Sequence, residues 1–194
     1  MATQVLEHPA EERLTRQRAT VEEFWSLPES VLPVEYINGE IIMSPTPTAL
    51  HQRVILRMAM VLQQFVIQHE RGEVFISPLD VSLPTGDVVQ PDIFFLDPKQ
   101  AERARTTDRV KDVPPFLVEV LSPGSVAHDT IRKRALYERN GVREYWIVNP
   151  KARSIAQLVL RKKQYVLNEL GESDVIKGAV LAGFESGVGE LLGS

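Results

Sequence analysis

The chain contains no cysteine, which excludes disulfide scaffolds, thiolate zinc sites and cysteine nucleophiles. It has only four histidines, His8, His51, His69 and His128, and none stands in an HExxH or other zinc-binding spacing. No GxGxxG, Walker A or GxSxG motif occurs, which argues against a nucleotide cofactor and against a serine hydrolase. There is no run of about 18 uncharged apolar residues, so no membrane span is expected. Residues 1–18 are polar and charged without an apolar stretch, which argues against a secretory signal and for a cytoplasmic protein.

What is present is ordinary for a globular chain: 194 residues, 43% apolar and 25% charged, enough to close around one core. Residues 1–18 read as a flexible tail and residues 19–194 as a single domain. The net charge of −4 hides an asymmetry. Residues 130–165 hold ten basic residues and two acids, a segment of +8 that leaves −12 on the rest. Such an excess attracts a polyanion, although an ordinary solvated face accounts for the same run.

The pattern predicts a mixed α/β chain. Thr20 and Glu23 form a capping box for a short helix that carries Phe24 and Trp25 inward. Asn38-Gly39 between two apolar-rich runs predicts a hairpin. Thr48 caps a long helix to about His69, with Leu50, Val54, Met58, Val61, Leu62 and Phe65 on its buried face. Strands are expected at 73–83, with Pro78 an edge or break, at 88–96 and at 116–121. The stretch 97–115 is long for a loop and has room for a helical turn. A helix over about 129–140, a buried strand over 144–148 and a hairpin with Arg161-Lys162-Lys163 at its tip complete the reading, with Val180, Leu181 and Phe184 as docking anchors of the C-terminal segment.

Two acids conflict with their surroundings. Glu119 interrupts the apolar run 116–121, and a buried carboxylate must neutralise or find a cation. Asp92 follows Pro91 and opens the apolar run Ile93 to Leu96. If the two strands are neighbours, both carboxylates converge at one edge of the sheet and suit a hard cation such as Mg²⁺ or Mn²⁺. Loop capping or pairing with arginine would satisfy Asp92 equally well; it accounts less well for Glu119, whose burial in mid-strand needs a specific partner. Asp129, Lys133 and Tyr137 recur at one helical face, where an exposed Asp–Lys pair is the plainer account. His51 falls in the first turn of the long helix, as a cap or near a site.

Taken in order, Gln90-Pro91-Asp92, Val118-Glu119-Val120-Leu121-Ser122-Pro123, Asp129-x3-Lys133-x3-Tyr137 and Gly141-Val142-Arg143-Glu144-Tyr145-Trp146 resemble the bacterial Uma-type restriction-endonuclease family, a branch of the PD-(D/E)XK nuclease superfamily. Asn38-Gly39-Glu40 and Ser44-Pro45…His51-Gln52 fit it too, so the resemblance covers roughly residues 20–190. It implies a restriction-endonuclease-like α-β-β-β-α-β core, a mixed central sheet flanked by helices, with additional N- and C-terminal β-hairpins.

It also implies that Asp92, Glu119 and the carbonyl of Val120 bind Mg²⁺ or Mn²⁺. The lysine usually found two residues after the glutamate is replaced by Leu121, and Lys133 on the next helix is placed to supply it. Glu40, His51, Gln90 and Tyr137 fall at the rim of the implied site. Arg132, Arg134, Arg161, Lys162 and Lys163 would hold the nucleic-acid backbone. The expected activity is metal-assisted hydrolysis of DNA phosphodiester bonds, with sequence preference left to loops or to a homodimer. Two other readings use the same residues: an inactive nuclease fold that binds nucleic acid or protein, and a structural module with Tyr145, Trp146 and the basic hairpin at an interface.

Overall fold

The computed structural model describes residues 14–28, 30 and 32–193. Residues 1–13 of the tail expected over 1–18 lie outside them. In chain order the elements are β1 (Thr15–Arg18), α1 (Val21–Trp25), β2 (Val34–Ile37), β3 (Glu40–Met43), α2 (Ala49–Gln68), β4 (Glu73–Ile76), β5 (Val81–Ser82), β6 (Val88–Val89), β7 (Ile93–Leu96), α3 (Pro98–Ala104) and β8 (Phe116–Val120). A π-turn (His128–Lys133) then leads into α4 (Arg134–Arg139), β9 (Glu144–Asn149), β10 (Ser154–Arg161), β11 (Gln164–Leu170), β12 (Val175–Lys177), β13 (Glu185–Gly187) and α5 (Val188–Leu192).

The larger sheet has the order β11-β10-β9-β8-β7-β4, antiparallel except at β8–β9. The smaller has the order β1-β3-β2-β6-β5, and β12 pairs with β13. The helix α2, strands β4, β7 and β8, the π-turn with α4, and β9 follow one another as the expected α-β-β-β-α-β core. The hairpins β2–β3 and β10–β11 are the expected additions at either end.

Strand β7 is apolar throughout, and β8 is apolar but for Glu119, because the large sheet is covered on both faces. On one face Ile93, Phe95, Phe116, Val118 and Val120 pack under Val54, Met58, Leu62 and Val66 of α2. On the other, Phe94, Leu96 and Leu117 meet Leu136 and Tyr137 of α4 and Ile37 and Ile42 of the smaller sheet. Alternation along β8 puts Glu119 on this second face, beside Leu117. The hairpin β2–β3 turns at Asn38 and Gly39, with φ of 53° and 77°, as the dipeptide predicts. Thr20 and Thr48 cap α1 and α2 as expected.

Several expectations change in ways that matter for the site. The strand expected over 88–96 is two strands in two sheets, since Pro91 has no N–H for a ladder and the chain crosses between sheets at Gln90-Pro91-Asp92. The segment 73–83 divides likewise at Pro78 into β4 and β5. Residues 15–18, read as part of the tail, form an edge strand on β3. Trp25 stays on the surface, where the Arg109 guanidinium lies 3.9 Å over its ring. Leu50, expected on the buried face of α2, is exposed, whereas Leu181 and Phe184 dock in the core as anticipated. Tyr145 and Trp146 are buried core residues, which removes them from any interface. No helix among the described residues is long and apolar enough to cross a membrane.

Candidate active site

The crossing at Asp92 and the end of β8 meet at one cavity. The β7–β8 ladder pairs Ile93 with Val118, so the same register sets Asp92 opposite Glu119. Asp92 Oδ2 accepts a hydrogen bond of 2.8 Å from the Val120 amide, which ties the two strand ends together. The cavity, about 150 Å³, is lined among others by Glu35, His51, Gln90, Asp92, Glu119 and Lys133. Val120 and Asp129 also face it.

The helix expected from Asp129 begins as a π-turn, a wider local geometry that recurs at functional sites. Both Asp129 and Lys133 are buried there, with Lys133 Nζ 3.8 Å from Asp129 Oδ1. The same ammonium lies 2.9 Å from Glu119 Oε1 and 2.8 Å from Glu35 Oε1. Tyr137, one turn further on, donates to Glu119 Oε1 at 2.7 Å. It braces the carboxylate from behind and does not line the cavity. Leu121 shares the face of Glu119 but packs into the adjoining core.

Glu35 and His128 join the constellation from outside the sequence-based set. Glu35 Oε1 also accepts from the Gln90 amide at 2.9 Å, and its Oε2 lies 3.0 Å from His128 Nε2. Gln90 in turn donates its side-chain N–H to Asp80 at 2.8 Å. The signal for Glu35 lay in strand alternation: it shares a face with Ile37 and pairs across the hairpin with buried Ile42. An acid on an apolar strand face is the same conflict that marks Glu119. His128 carried no such signal, because it precedes the helix in a stretch without periodicity.

The carboxylates of Glu35, Glu119 and Asp129 therefore surround one ammonium, and the titration of these three reflects it. Burial would raise Glu35, but Lys133 and His128 outweigh it and hold the group down to about 2. Burial pushes Asp129 up to about 6 against the pull of Lys133. Glu119 is raised well above the carboxylate range by burial, with the charges of Asp92, Asp129 and Glu35 adding to the rise and Lys133 opposing it. Burial would lower Lys133, yet Glu119, Glu35 and Asp129 hold it well above the lysine range, so it stays an ammonium. His51 Nε2 lies 3.2 Å from Asp92 Oδ2. Burial disfavours its charge, but Asp92 and a backbone hydrogen bond to Val120 raise it overall.

The remaining residues fall elsewhere. Glu40 lies outside the cavity and pairs with Arg132 at 2.9 Å. Arg134 is half-buried on the first turn of α4. Strand β10 runs antiparallel to β9 from Ser154, opposite Asn149, to Arg161, beyond Glu144. Since β8 and β9 are parallel, with Val120 level with Val148, the Arg161-Lys162-Lys163 tip sits at the end of the sheet opposite the cavity. The +8 segment is thus not one face.

A six-stranded mixed sheet between helices, with paired acids at a strand end and a lysine from the next helix, is the restriction-endonuclease-like nuclease fold. A family model described as "Putative restriction endonuclease", Uma2, matches residues 21–189, and the chain belongs to that family. Among solved structures, it is similar to a putative nuclease belonging to DUF820 from Anabaena variabilis ATCC 29413, with a TM-score of 0.78 at 19% identity over 89% of this chain and 97% of that one. No curated protein matches.

Proposed function

We propose that the protein is a divalent-metal-dependent endonuclease that hydrolyses DNA phosphodiester bonds. The observation that carries the reading is the Lys133 ammonium at 2.9 Å from Glu119 Oε1, with Asp92 opposite Glu119 in the ladder. A lysine absent from the strand returns from the following helix to the same carboxylate.

The donor chemistry fits Mg²⁺ or Mn²⁺. The Asp92 and Glu119 carboxylates and the Val120 carbonyl offer oxygen ligands from one strand junction, and a hard cation completes its shell with water. Four acids against one lysine leave the cavity with surplus negative charge, the condition under which a divalent cation is held most strongly. When bound, the ion supplies an activated water and neutralises charge that builds on the phosphoryl oxygens.

The protein's own groups do the rest. Lys133 is held charged, so it does not act as a general base. It donates a hydrogen bond to the attacking water or to a non-bridging phosphoryl oxygen and stabilises negative charge there. Glu35 also holds this ammonium, so Lys133 keeps a partner when Glu119 takes a ligand role. Tyr137 fixes the Glu119 rotamer.

A second reading, a nuclease fold that binds DNA without turnover, draws on one observation. Among the described residues no group of three or more His, Cys, Asp or Glu is gathered so as to hold a metal. Incubating supercoiled plasmid with the protein and Mg²⁺ or Mn²⁺ separates the two. Nicking or linearisation that EDTA and Glu119→Ala both abolish supports the endonuclease. Binding without cleavage under either metal supports the second reading.

A further inference from the structure

We propose that Arg16, Arg18 and Arg132 form a phosphate-binding ridge that leads DNA into the cavity. This inference rests on the reading of the protein as one that acts on DNA, and it relocates the backbone contacts from the 161–163 tip.

The placement follows from strand register. Arg18 pairs with Glu40 and Arg16 with Ile42, so both arginines lie on the face that carries Glu40 and Ile42 in β3 and Glu35 and Ile37 in β2. That is the face turned toward the π-turn and the cavity, as the buried contacts of Ile37, Ile42 and Glu35 show. Leu14, two residues before Arg16, lines the cavity itself. Successive same-face residues of a strand are about 7 Å apart, so the two guanidiniums form a row that starts at the mouth. Arg132, next in sequence to Lys133, reaches the same row through its 2.9 Å contact with Glu40.

The four charged groups are coupled. Glu40 is held below the usual carboxylate range first by the hydrogen bond from Arg132, with further contributions from the charges of Arg132, Arg16 and Arg18. Three guanidiniums gather around one carboxylate beside a cavity rich in acids. Guanidinium forks match phosphate oxygens in pairs. Glu40 also occupies Arg132, so a phosphate must displace it. A plainer role for Arg16 and Arg18 is to keep a solvent-exposed edge strand from pairing with other chains.

Fluorescence anisotropy with a labelled DNA duplex, in EDTA so that no cleavage intervenes, decides between them. Arg16→Ala/Arg18→Ala should weaken binding roughly tenfold and flatten the salt slope by up to about two. Arg16→Lys/Arg18→Lys should restore most of both. Glu40→Gln should tighten binding and steepen the slope by about one, a gain that misfolding cannot produce. Neutralising Arg161, Lys162 and Lys163 together should change little. Unchanged affinity in the Arg16/Arg18 alanine variant overturns the ridge, as does a loss confined to the tip variant. Failure of the ridge leaves metal-dependent plasmid cleavage intact, whereas failure of the nuclease reading leaves ridge-dependent binding without cleavage. A wild-type protein that does not bind the duplex overturns the ridge outright.

Discussion

The Lys133 ammonium lies 2.8 Å from Glu35 Oε1, a contact that joins the small sheet to the helix following the Glu119 strand. Both groups are buried, and each has a further side-chain partner, Glu119 for Lys133 and His128 for Glu35. Lys133 is therefore positioned by two carboxylates on two different sheets.

Lys133→Ala should lower plasmid turnover by roughly 100-fold or more, the scale of losing one preorganised charge at a reacting phosphate. Lys133→Arg should rescue poorly, because a planar guanidinium does not replace a compact ammonium between two carboxylates. Neighbouring Arg132 is tied to Glu40 and Arg134 points from another side of the helix, so neither substitutes. Wild-type turnover in Lys133→Ala would remove the lysine from the mechanism.

Glu35→Gln leaves Lys133 and His128 short of a buried anion. Breaking such a group from one side costs roughly 3 kcal/mol, or about 6–12 °C in Tm for a chain of this size. Thermal unfolding of the metal-free variant measures it. A Tm within a degree of wild type would mean that Glu35 is dispensable to the cluster.

Glu144 illustrates a buried acid with a structural role. Its Oε1 accepts from Trp146 Nε1 and Gln157 Nε2, both at 2.7 Å, and its Oε2 from the amides of Ala179 and Val180 at 2.9 and 2.7 Å. It clamps the C-terminal segment onto the large sheet. Glu144→Ala strands the Trp146, Ala179 and Val180 donors, while Gln157 keeps the Lys177 carbonyl, and at about 1–3 kcal/mol for each buried unsatisfied group the fold should be severely destabilised. Glu144→Gln, which turns an acceptor into a donor facing N–H groups, should lie between. Denaturant unfolding of both variants gives the order.

Stability should depend on pH with two opposing signs. Glu35 sits at about 2, below its ordinary 4.5, so its contribution is present above pH 4.5 and is lost as pH falls toward 2. Asp129 sits at about 6, above its ordinary 3.8, so the folded state binds the extra proton and stability falls as pH rises from about 4 to 6. Each is of order 3 kcal/mol. Glu119, raised in the same sense, extends the second loss to higher pH. Urea unfolding between pH 4 and 6 should show a shallower decline in Asp129→Asn than in wild type, and equal slopes would contradict the assignment.

Much of the core was legible because its signals are local. Thr48 and a three-and-four apolar repeat mark α2, Asn38-Gly39 marks its hairpin, and Glu119 stands out against β8. Lys133 was legible through the family resemblance; its helical spacing to Asp129 and Tyr137 alone read more plainly as an exposed ion pair, and the first of those turns is π-helical. What escaped depends on distant partners. Glu35 becomes a site residue only because the small sheet turns that face onto a lysine 98 positions later in the chain. The crossing at Pro91 looked like one strand, since both halves are apolar and only the sheet assignment separates them. The basic run looked like one surface because a linear count of charge carries no strand direction, and β10 takes Arg161 to the far end.

Titration calorimetry with Mn²⁺ at pH 8, where the carboxylates are most fully ionised, tests the central claim that Asp92 and Glu119 form one ion site beside Lys133. The account predicts one ion bound per wild-type chain and a loss of that binding in Asp92→Asn and Glu119→Gln. Lys133→Ala should retain it, and the heat should diminish at pH 5 as Asp129, raised to about 6, protonates. No uptake by the wild type, or equal uptake by the Glu119→Gln protein, would contradict it.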